Sequence, residues 1–384
     1  MTSESFDFAV VGAGIAGASV AWQLAPHARV VLLEREPQPG YHSTGRSAAM
    51  FMESYGTPAI RALTRASRAF YESPPDGFTR EPLMAPRGCL YIARPDQEAL
   101  LHSTYEELRR TGSQVRLVDA DEAMARVPVL RRDRLLGGIV EDDAMDIDVN
   151  ALHQGFLRGF RAAGGSVLVN AELTGVQRSD GFWQLSFADG RQVRARTVVD
   201  AAGAWADAVA ALCGIPGVGL EPRRRTAFTF APPPDQAIHG WPTVVAVDES
   251  FYIKPDAGQL LGSPANADPV AAHDVVAEEL DVAMGIHQIE EHTTLRIRRP
   301  GSTWAGLRSF VADGDLVVGW QRGAEGFFWL AAQGGYGIQS AAAVSELAAA
   351  LLLRRAVPAH ILAQGLDPAA VDPARPSLNR SSAC

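Results

Sequence analysis

Gly12, Gly14 and Gly17 stand in G-x-G-x-x-G spacing, and Glu34 follows 17 residues after the last of them. That set suits one chemistry, the holding of a pyrophosphate and its ribose. The first glycine allows a tight turn, the second lets backbone approach the pyrophosphate, and the third lets helix pack on strand. The N–H groups at the helix start favour the phosphate charge, and an acid at the next strand end accepts from ribose hydroxyls. The elements that must position these residues are present. Phe6 to Val11 is an apolar, β-prone run, Ile15 to Leu24 has apolar residues at helical spacing, and Arg29 to Leu33 is a second strand ending at Glu34. The reading is a dinucleotide site on a βαβ unit; a glycine-rich turn in a plain βαβ unit is the alternative.

Three more stretches are glycine-bearing where a strand has just ended. YHSTGRSAAMFMESYG, Tyr41 to Gly56, is too polar for core and too specific for a casual linker. VVDAAGAWA runs a buried strand into Ala201-Ala202-Gly203, which brings backbone close to something flat or phosphorylated. FFWLAAQGGYGIQSAAAVSEL repeats the strand, glycine turn and helix start at Gly334-Gly335-Tyr336-Gly337, a second place to bind one extended cofactor.

A chain of 384 residues predicts two domains. It is 47% apolar and 21% charged, an ordinary globular composition, and its net charge of −9 argues against nucleic acid or an anionic membrane as partner. Cys89, Cys213 and Cys384 have neither metal-ligand nor disulfide spacing, so no metal and a reducing compartment are expected. The acidic start MTSESFDF lacks a signal pattern, and AAAVSELAAALLL carries Glu346 and is too short to span a bilayer. It reads as an amphipathic helix against the core. The expected location is cytoplasmic, with peripheral contact at the inner membrane left open, and the expected state a monomer or weak homo-oligomer.

Helical patterns follow at Thr57 to Tyr71, Gln97 to Thr111, Asp119 to Arg126, in ALHQGFLRGFRAAGG, and at Val270 to His292. Asp180-Gly181 and Asp189-Gly190 break an alternating run into an antiparallel meander. The expected fold is α/β: a Rossmann-like cofactor domain of the glutathione-reductase type from residues 1–50, 146–215 and 300–366. An α+β substrate domain with a mixed antiparallel sheet takes 51–145 and 216–299, and residues 373–384 form a disordered tail.

VVGAGIAGASVAWQL, STGRSAA, VVDAAGAWA, GLRSF and AAQGGYGIQ occur in the order seen in the D-amino-acid-oxidase-like flavoenzymes, which include glycine oxidase, sarcosine oxidase and D-amino acid dehydrogenases. The resemblance runs from about Phe6 to Leu366. Within the family, LEREPQPGYHSTGRSAA, SFYIKPDAG, GSPANADPV, TWAGLRSF and EGFFW most resemble bacterial D-arginine dehydrogenases. The resemblance implies noncovalent FAD, since the cysteine that tethers flavin in sarcosine-oxidase-like members has no counterpart between Cys213 and Cys384. It implies pyrophosphate contacts at Gly12, Gly14, Ile15, Ala16 and Gly17, and adenosine contacts at Glu34, Arg35 and Val176. Ser43, Thr44, Gly45, Arg46, Ser47 and Ala48 would wrap the cofactor, their small size letting backbone lie on the isoalloxazine. Ala202, Gly203 and Trp205 join them, as do Arg308, Gly334, Gly335, Tyr336, Gly337, Ile338 and Gln339.

For the substrate the resemblance implies a carboxylate clamp, for which guanidinium is suited. Arg308 is the first candidate and one of Arg224 and Arg225 the second, with Arg224 preferred and Arg223 on a solvated rim. Tyr55 and Tyr252 match tyrosines that face the substrate, and Gly335 and Tyr336 bring backbone to the amine. The chain departs from the D-arginine pattern at Met50, where a histidine is expected, and at Cys89, where the acid for the substrate guanidinium is expected. An unpaired buried cation pays desolvation. The expected activity is therefore oxidative deamination of a D-amino acid with a neutral, apolar or aromatic side chain. The electron acceptor would be oxygen, a quinone or an artificial acceptor. Oxidation of an N-methyl or cyclic imino acid, oxidation of a hydroxy acid or polyol, and a flavin-binding module without turnover are the alternatives.

Overall fold

The structure, a computed structural model, describes residues 5–111 and 113–378. Its strands form three sheets. Ser5–Val11, whose last four residues are buried, pairs in parallel with Val30–Leu33 on one side and Gln192–Asp200 on the other. Ser166–Leu168 and Phe327–Ala331 extend this parallel set at its two ends, and Val317–Trp320 pairs antiparallel with the latter. The expected meander, Leu173–Ser179 and Phe182–Phe187, joins through Gln192–Asp200 to complete eight strands. Its turn is formed as read: Asp180 and Gly181 take φ of 52° and 76°, the left-handed pair that a two-residue hairpin needs.

Ile15–Leu24, Val149–Ala162 and Gly337–Leu352 cover one face of this sheet and bury a common core. Gly337–Leu352 is not the amphipathic helix its sequence suggests. Fourteen of its sixteen residues are buried, because Ile15–Leu24 packs on one side and Pro58–Glu72 on the other. A helix apolar all round belongs in such a place. Pro58–Glu72 starts on a cap, Thr57 Oγ1 accepting from Ile60 N at 3.3 Å. Its polar stripe is spent on the central helix: Gln339 Nε2 donates to Thr64 Oγ1 at 3.0 Å and Ala343 N donates to Ser67 Oγ at 3.0 Å.

The second sheet has nine strands, antiparallel except where Thr243–Ala246 runs parallel to Cys89–Ala93. Thr303–Phe310 pairs along most of Glu221–Phe230 and so belongs to this sheet, while Pro58–Glu72 packs with the first. Both lie across the expected partition, because strand pairing and helix packing ignore order along the chain. Helix in the Val270 to His292 stretch is confined to Glu279–His292; residues 270–278 are loop. A small third sheet, Met50–Phe51, Met84–Pro86 and Met145–Ile147, lies between. No helix among the described residues is long and apolar enough to cross a membrane.

The expected disorder from Pro373 onward does not hold for residues 373–378. Arg375, buried, reaches Asp313 with Nε at 2.7 Å and Nη2 at 2.9 Å, and Ser377 Oγ donates to the same carboxylate. Residues 379–384 lie outside the described residues. Burial alone would raise the Asp313 pKa, but the Arg375 fork and Ser377 hold it down at about 2. The pair therefore stabilises above the ordinary value of 3.8 and is lost as pH falls through about 2. Arg375→Ala should cost on the order of 2 kcal/mol or more, read as a shift of the urea midpoint at neutral pH with unchanged slope. Equal midpoints for variant and wild type would show that the tail contributes nothing.

Candidate functional site

Where the two larger sheets meet, Gly12 turns the chain with φ of 99°, and a Cβ there would lie 2.4 Å from the Ala201 carbonyl oxygen. Only glycine permits this crossing of two strand ends. Around it, Ala13 N donates to Glu34 Oε2 and Glu36 N to Glu34 Oε1, each at 3.0 Å, and His153 Nε2 is 2.9 Å from the Ala13 carbonyl oxygen. Burial raises the Glu34 pKa against these hydrogen bonds. Arg35 stacks on Trp205, its guanidinium carbon 5.2 Å from the ring, and His42 tilts on the same ring at 4.6 Å. Val176 lies in the meander, packed against the core cluster beyond this turn. Ala202 and Gly203 follow one residue after the end of Gln192–Asp200, with Gly203 at φ of 57°.

Ser43–Arg46 is a single turn of 3-10 helix clamped from both sides. Thr44 Oγ1 accepts from Ile15 N at 3.0 Å, at the helix start. Ser43 Oγ donates to the Leu307 carbonyl oxygen at 2.6 Å, Arg46 Nη1 donates to those of Val275 and Ala305 at 2.8 and 3.1 Å, and Trp304 Nε1 donates to that of Arg46 at 3.0 Å. Gly45 turns back on Gly40, its N–H 2.8 Å from the Gly40 carbonyl oxygen.

Beside this turn opens a cavity of about 250 Å³. One wall is Ile15, Ser43, Thr44, Arg46, Ser47 and Ala48; another is Gln333, Gly334, Gly335, Gly337, Ile338 and Gln339. Arg225, Arg308, Tyr55 and Tyr252 face it together, and Met50, Met52, Tyr91, Thr243, Val245 and Glu249 also line it. Gly12, Gly14, Ala16, Gly17, Glu34, Arg35, Gly45, Val176, Ala202, Gly203 and Trp205 do not line it.

Arg308 lies on glycine backbone: a Cβ on Gly335 would meet its guanidinium carbon at 2.9 Å. Its Nη1 donates to Tyr55 Oη at 3.3 Å. Burial disfavours its charge, yet the facing hydroxyls of Tyr55 and Tyr252 outweigh this and its pKa is raised. Arg225 donates from Nε to the Asn266 carbonyl oxygen at 2.6 Å; burial, then the charge of Arg308, lowers its pKa. Neither guanidinium has a salt bridge among the described residues, so the pair presents an anion site.

The preference for Arg224 does not hold. Successive residues of a strand point to opposite faces, and Arg224 points away from the cavity, to Asp281 at 2.9 Å, Asp268 at 3.6 Å and Glu278. Arg223 sits half-buried over Phe310 and pairs with Glu221 at 2.6 Å. Tyr336 is absent from the lining; its ring supports Tyr55 at 4.9 Å. Cys89 is fully buried behind Met52 and Ala144 and does not line the cavity either. Met50 does, its sulfur accepting from Thr243 Oγ1 at 2.9 Å.

Sequence reasoning missed several residues, among them Glu249 in the cavity lining. Lys254, buried, lines the cavity, donating to Asp146 Oδ1 at 2.8 Å and the Ala48 carbonyl oxygen at 3.3 Å; a lysine inside the apolar run FYIKP was the available signal. Gln333 Nε2 is buried in the cavity wall without a partner. Glu141 is 1% exposed and is the register partner of Cys89, its Oε2 accepting from Ser54 Oγ at 2.6 Å. The acid absent at Cys89 thus has a counterpart on the neighbouring strand.

Burial, opposed by Ser54 and reinforced by Asp143, pushes the Glu141 pKa to about 7, from 4.5. The folded state then holds this proton more tightly than the unfolded chain, so the associated stability is full below pH 4.5 and is lost as pH rises through about 7. Glu141→Gln should remove that loss. Urea unfolding of both proteins across this range should show the variant gaining on the wild type as pH rises; parallel curves would contradict the assignment.

The FAD dependent oxidoreductase family model matches residues 7–351. L-2-hydroxyglutarate dehydrogenase of Escherichia coli is 27% identical over 246 residues, 61% of this chain and 56% of that protein. The chain thus matches little over half the length of that relative. FAD-dependent oxidoreductase domain-containing protein 1 of Xenopus laevis is 22% identical over 91% of this chain and 79% of its own. Glycine oxidase of Geobacillus kaustophilus superposes with a TM-score of 0.80 at 22% identity, covering 92% of this chain and 96% of that one. L-proline dehydrogenase from P. horikoshii does so at 0.78 and 20%, covering 93% and 96%. With the match spanning most of its length, the chain belongs to the family of FAD-dependent oxidoreductases.

Proposed function

We propose that the protein oxidises the Cα–N bond of a D-amino acid with a neutral side chain, giving an imino acid that water converts to a 2-oxo acid and ammonia. One observation carries this reading: Arg308 and Arg225 converge, without a carboxylate paired to either, on a cavity closed by Met50, Met52 and Val245. The choice of the D-amino acid rests on the motif resemblance to D-arginine dehydrogenases, and the neutral side chain on Met50 and the absence of an acid at Cys89.

The residues present fit FAD. The glycine turn from Gly12 to Gly17 opens the helix Ile15–Leu24 with a glycine at its N-cap, Glu34 stands at the adjoining strand end, and the orphaned Gln333 amide is a donor in search of an acceptor. The eight-stranded sheet would hold this cofactor noncovalently, and the nine-stranded sheet would form most of the substrate side. When bound, FAD would supply the acceptor for the hydride that leaves Cα. Arg308 clamps the carboxylate bidentately with Arg225 as second contact, and Tyr55 and Tyr252 border it. The substrate amine sheds its proton before reaction, and no residue must act as an obligatory base. Gly335 lets the Arg308 guanidinium lie flat, and orientation by such fixed groups lowers the barrier.

Oxidation of a 2-hydroxy acid on the same site is the second reading. It is favoured by the two guanidiniums facing one cavity, which would suit a dicarboxylate, and by relatives named L-2-hydroxyglutarate dehydrogenase.

Anaerobic bleaching of the holoprotein by a panel of D-, L- and N-methyl amino acids and 2-hydroxyglutarate separates the readings. Neutral D-amino acids should bleach it faster than D-arginine or D-lysine; bleaching by 2-hydroxyglutarate alone would overturn the amino acid assignment. Arg308→Met should lose roughly 30-fold or more in kcat/KM, equivalent to about 2–5 kcal/mol for a broken buried pair, while keeping its flavin. Glu34→Ala should release FAD more readily on dilution, measured by fluorescence of the filtrate. Unchanged retention would place the ribose elsewhere.

A further inference from the structure

The three most exposed large apolar side chains among the described residues stand together. Val276 is 70% exposed, Leu280 68% and Met284 51%, and the other exposed ones are each less than half exposed. Val276 precedes the helix Glu279–His292, and Leu280 and Met284, four residues apart, share one face of it with the exposed Ala283. The opposite face is already covered. Val282 and Ile289 are buried in the core of the nine-stranded sheet. Gly285 lies so close to Phe228 and Pro264 that a Cβ would meet them at 2.8 and 3.0 Å. A surface helix carries one apolar stripe, and single exposed apolar residues need no explanation. A second stripe of the three most exposed ones does.

Charge indicates what covers it. At the start of the helix Glu278 is bound to Arg224, while Glu279 is exposed and has no salt bridge among the described residues. At the other end Ile297 N donates to Glu290 Oε1 at 2.6 Å, which holds the exposed Arg296 and Arg298 beside the last turn. Arg296 reaches Glu290 only at 3.7 Å, and Arg298 has no salt bridge among the described residues. An acidic end, an apolar middle and a basic end are complementary to the same face reversed. About a two-fold axis between Ala283 and Met284, Leu280 of one copy comes level with His287 of the other. Glu279 comes level with Gln288, two residues or about 3 Å short of Glu290, where Arg296 and Arg298 of the other copy stand. A parallel pairing would set acid against acid, and an anionic surface would be repelled by Glu279 and by the net charge of −9.

We propose that this face binds a second copy of the chain, the two Glu279–His292 helices packing antiparallel across a two-fold axis near Ala283 and Met284. Leu280, Met284 and Val276 form the apolar centre, and Glu279 meets Arg296 and Arg298 at each end. Such an interface is isologous, so every contact occurs twice. None of these residues lines the cavity. The face nonetheless adjoins the site, because Asp274 and Val275, just before Val276, hold the Arg46 guanidinium.

Analytical ultracentrifugation of the holoprotein over a wide concentration range tests this. The wild type should show a monomer–dimer equilibrium. Leu280→Glu should raise the dimer Kd about 100-fold or more, since it sets like charges against each other in an apolar contact. Glu279→Arg should raise it about tenfold, and adding Arg296→Glu and Arg298→Glu to that variant should restore it. Flavin content and far-UV circular dichroism, unchanged in these surface variants, show that the fold is kept. Cross-linking tests the axis, in a background with Cys213 and Cys384 replaced by serine. Met284→Cys should form a disulfide-linked dimer on mild oxidation. His287→Cys should not, because the two copies of that position lie about 10 Å apart along the helices, beyond a disulfide's reach of about 7 Å. A wild type that stays monomeric at every concentration, or a dimer indifferent to Leu280→Glu, overturns the proposal. Cross-linking at 287 and not at 284 overturns the antiparallel axis. A monomer that co-sediments with phosphatidylglycerol vesicles, and loses this in Leu280→Glu, overturns the second copy in favour of a lipid surface.

Discussion

The site depends on the clamp at Ser43–Arg46. Thr44 ties this turn to the helix start behind the glycine motif, and Ser43 and Arg46 tie it to Thr303–Phe310 in the other sheet. Arg308 lies on that same strand. The position of the clamp relative to the glycine turn is thus fixed through a few hydrogen bonds in one short segment. Residues this small and polar are required because two sheets approach from opposite sides and both present backbone. Larger side chains would push the sheets apart, and apolar ones would leave carbonyl and N–H groups without partners at a buried junction, which costs about 1–3 kcal/mol each.

Charge inside the molecule is kept in separate, differently managed places. Arg224 is neutralised by Asp281, Glu278 and Asp268, and Lys254 by Asp146, which also accepts from Arg87. These pairs hold strands and loops in place. Arg225 and Arg308 are left without carboxylates and face tyrosine hydroxyls and carbonyl oxygens instead. The contrast between Arg224 and Arg225, neighbours in sequence, shows a single strand carrying a carboxylate-paired cation on one face and a cavity-facing cation on the other.

That contrast also marks the limit of what sequence reasoning can reach. The glycine motif and its acid were legible because their geometry is local: strand, turn, helix and next strand end follow within thirty residues. The Asp180-Gly181 turn was legible for the same reason. Choosing between Arg224 and Arg225 requires the absolute phase of a strand, and Arg-Arg-Arg carries no alternation to reveal it. Gly337–Leu352 could have been read as buried all round from its nearly unbroken apolar run, but a single glutamate suggested a wet face. Glu346 in fact sits at the helix's one exposed edge, facing His360 at 3.2 Å. The crossing of Thr303–Phe310 into the second sheet depends on pairing with residues about eighty positions earlier, and no local pattern encodes that.

Cys89 is the clearest case of an acid standing one strand away from where it was expected. The expectation weighed one position and found no acid there. In the sheet, position 89 faces 141 in the register of two antiparallel strands, and the acid stands on the second strand. Cross-strand neighbours have Cβ atoms only about 5 Å apart, so a carboxyl group can change strands and still serve nearly the same volume. Its surroundings there are specific: at 141 the carboxyl is buried, accepts from Ser54 and does not line the cavity. A direct carboxylate suits a cation, which needs an opposite charge in contact. A carboxyl buried behind the lining and already bound to Ser54 offers no such contact.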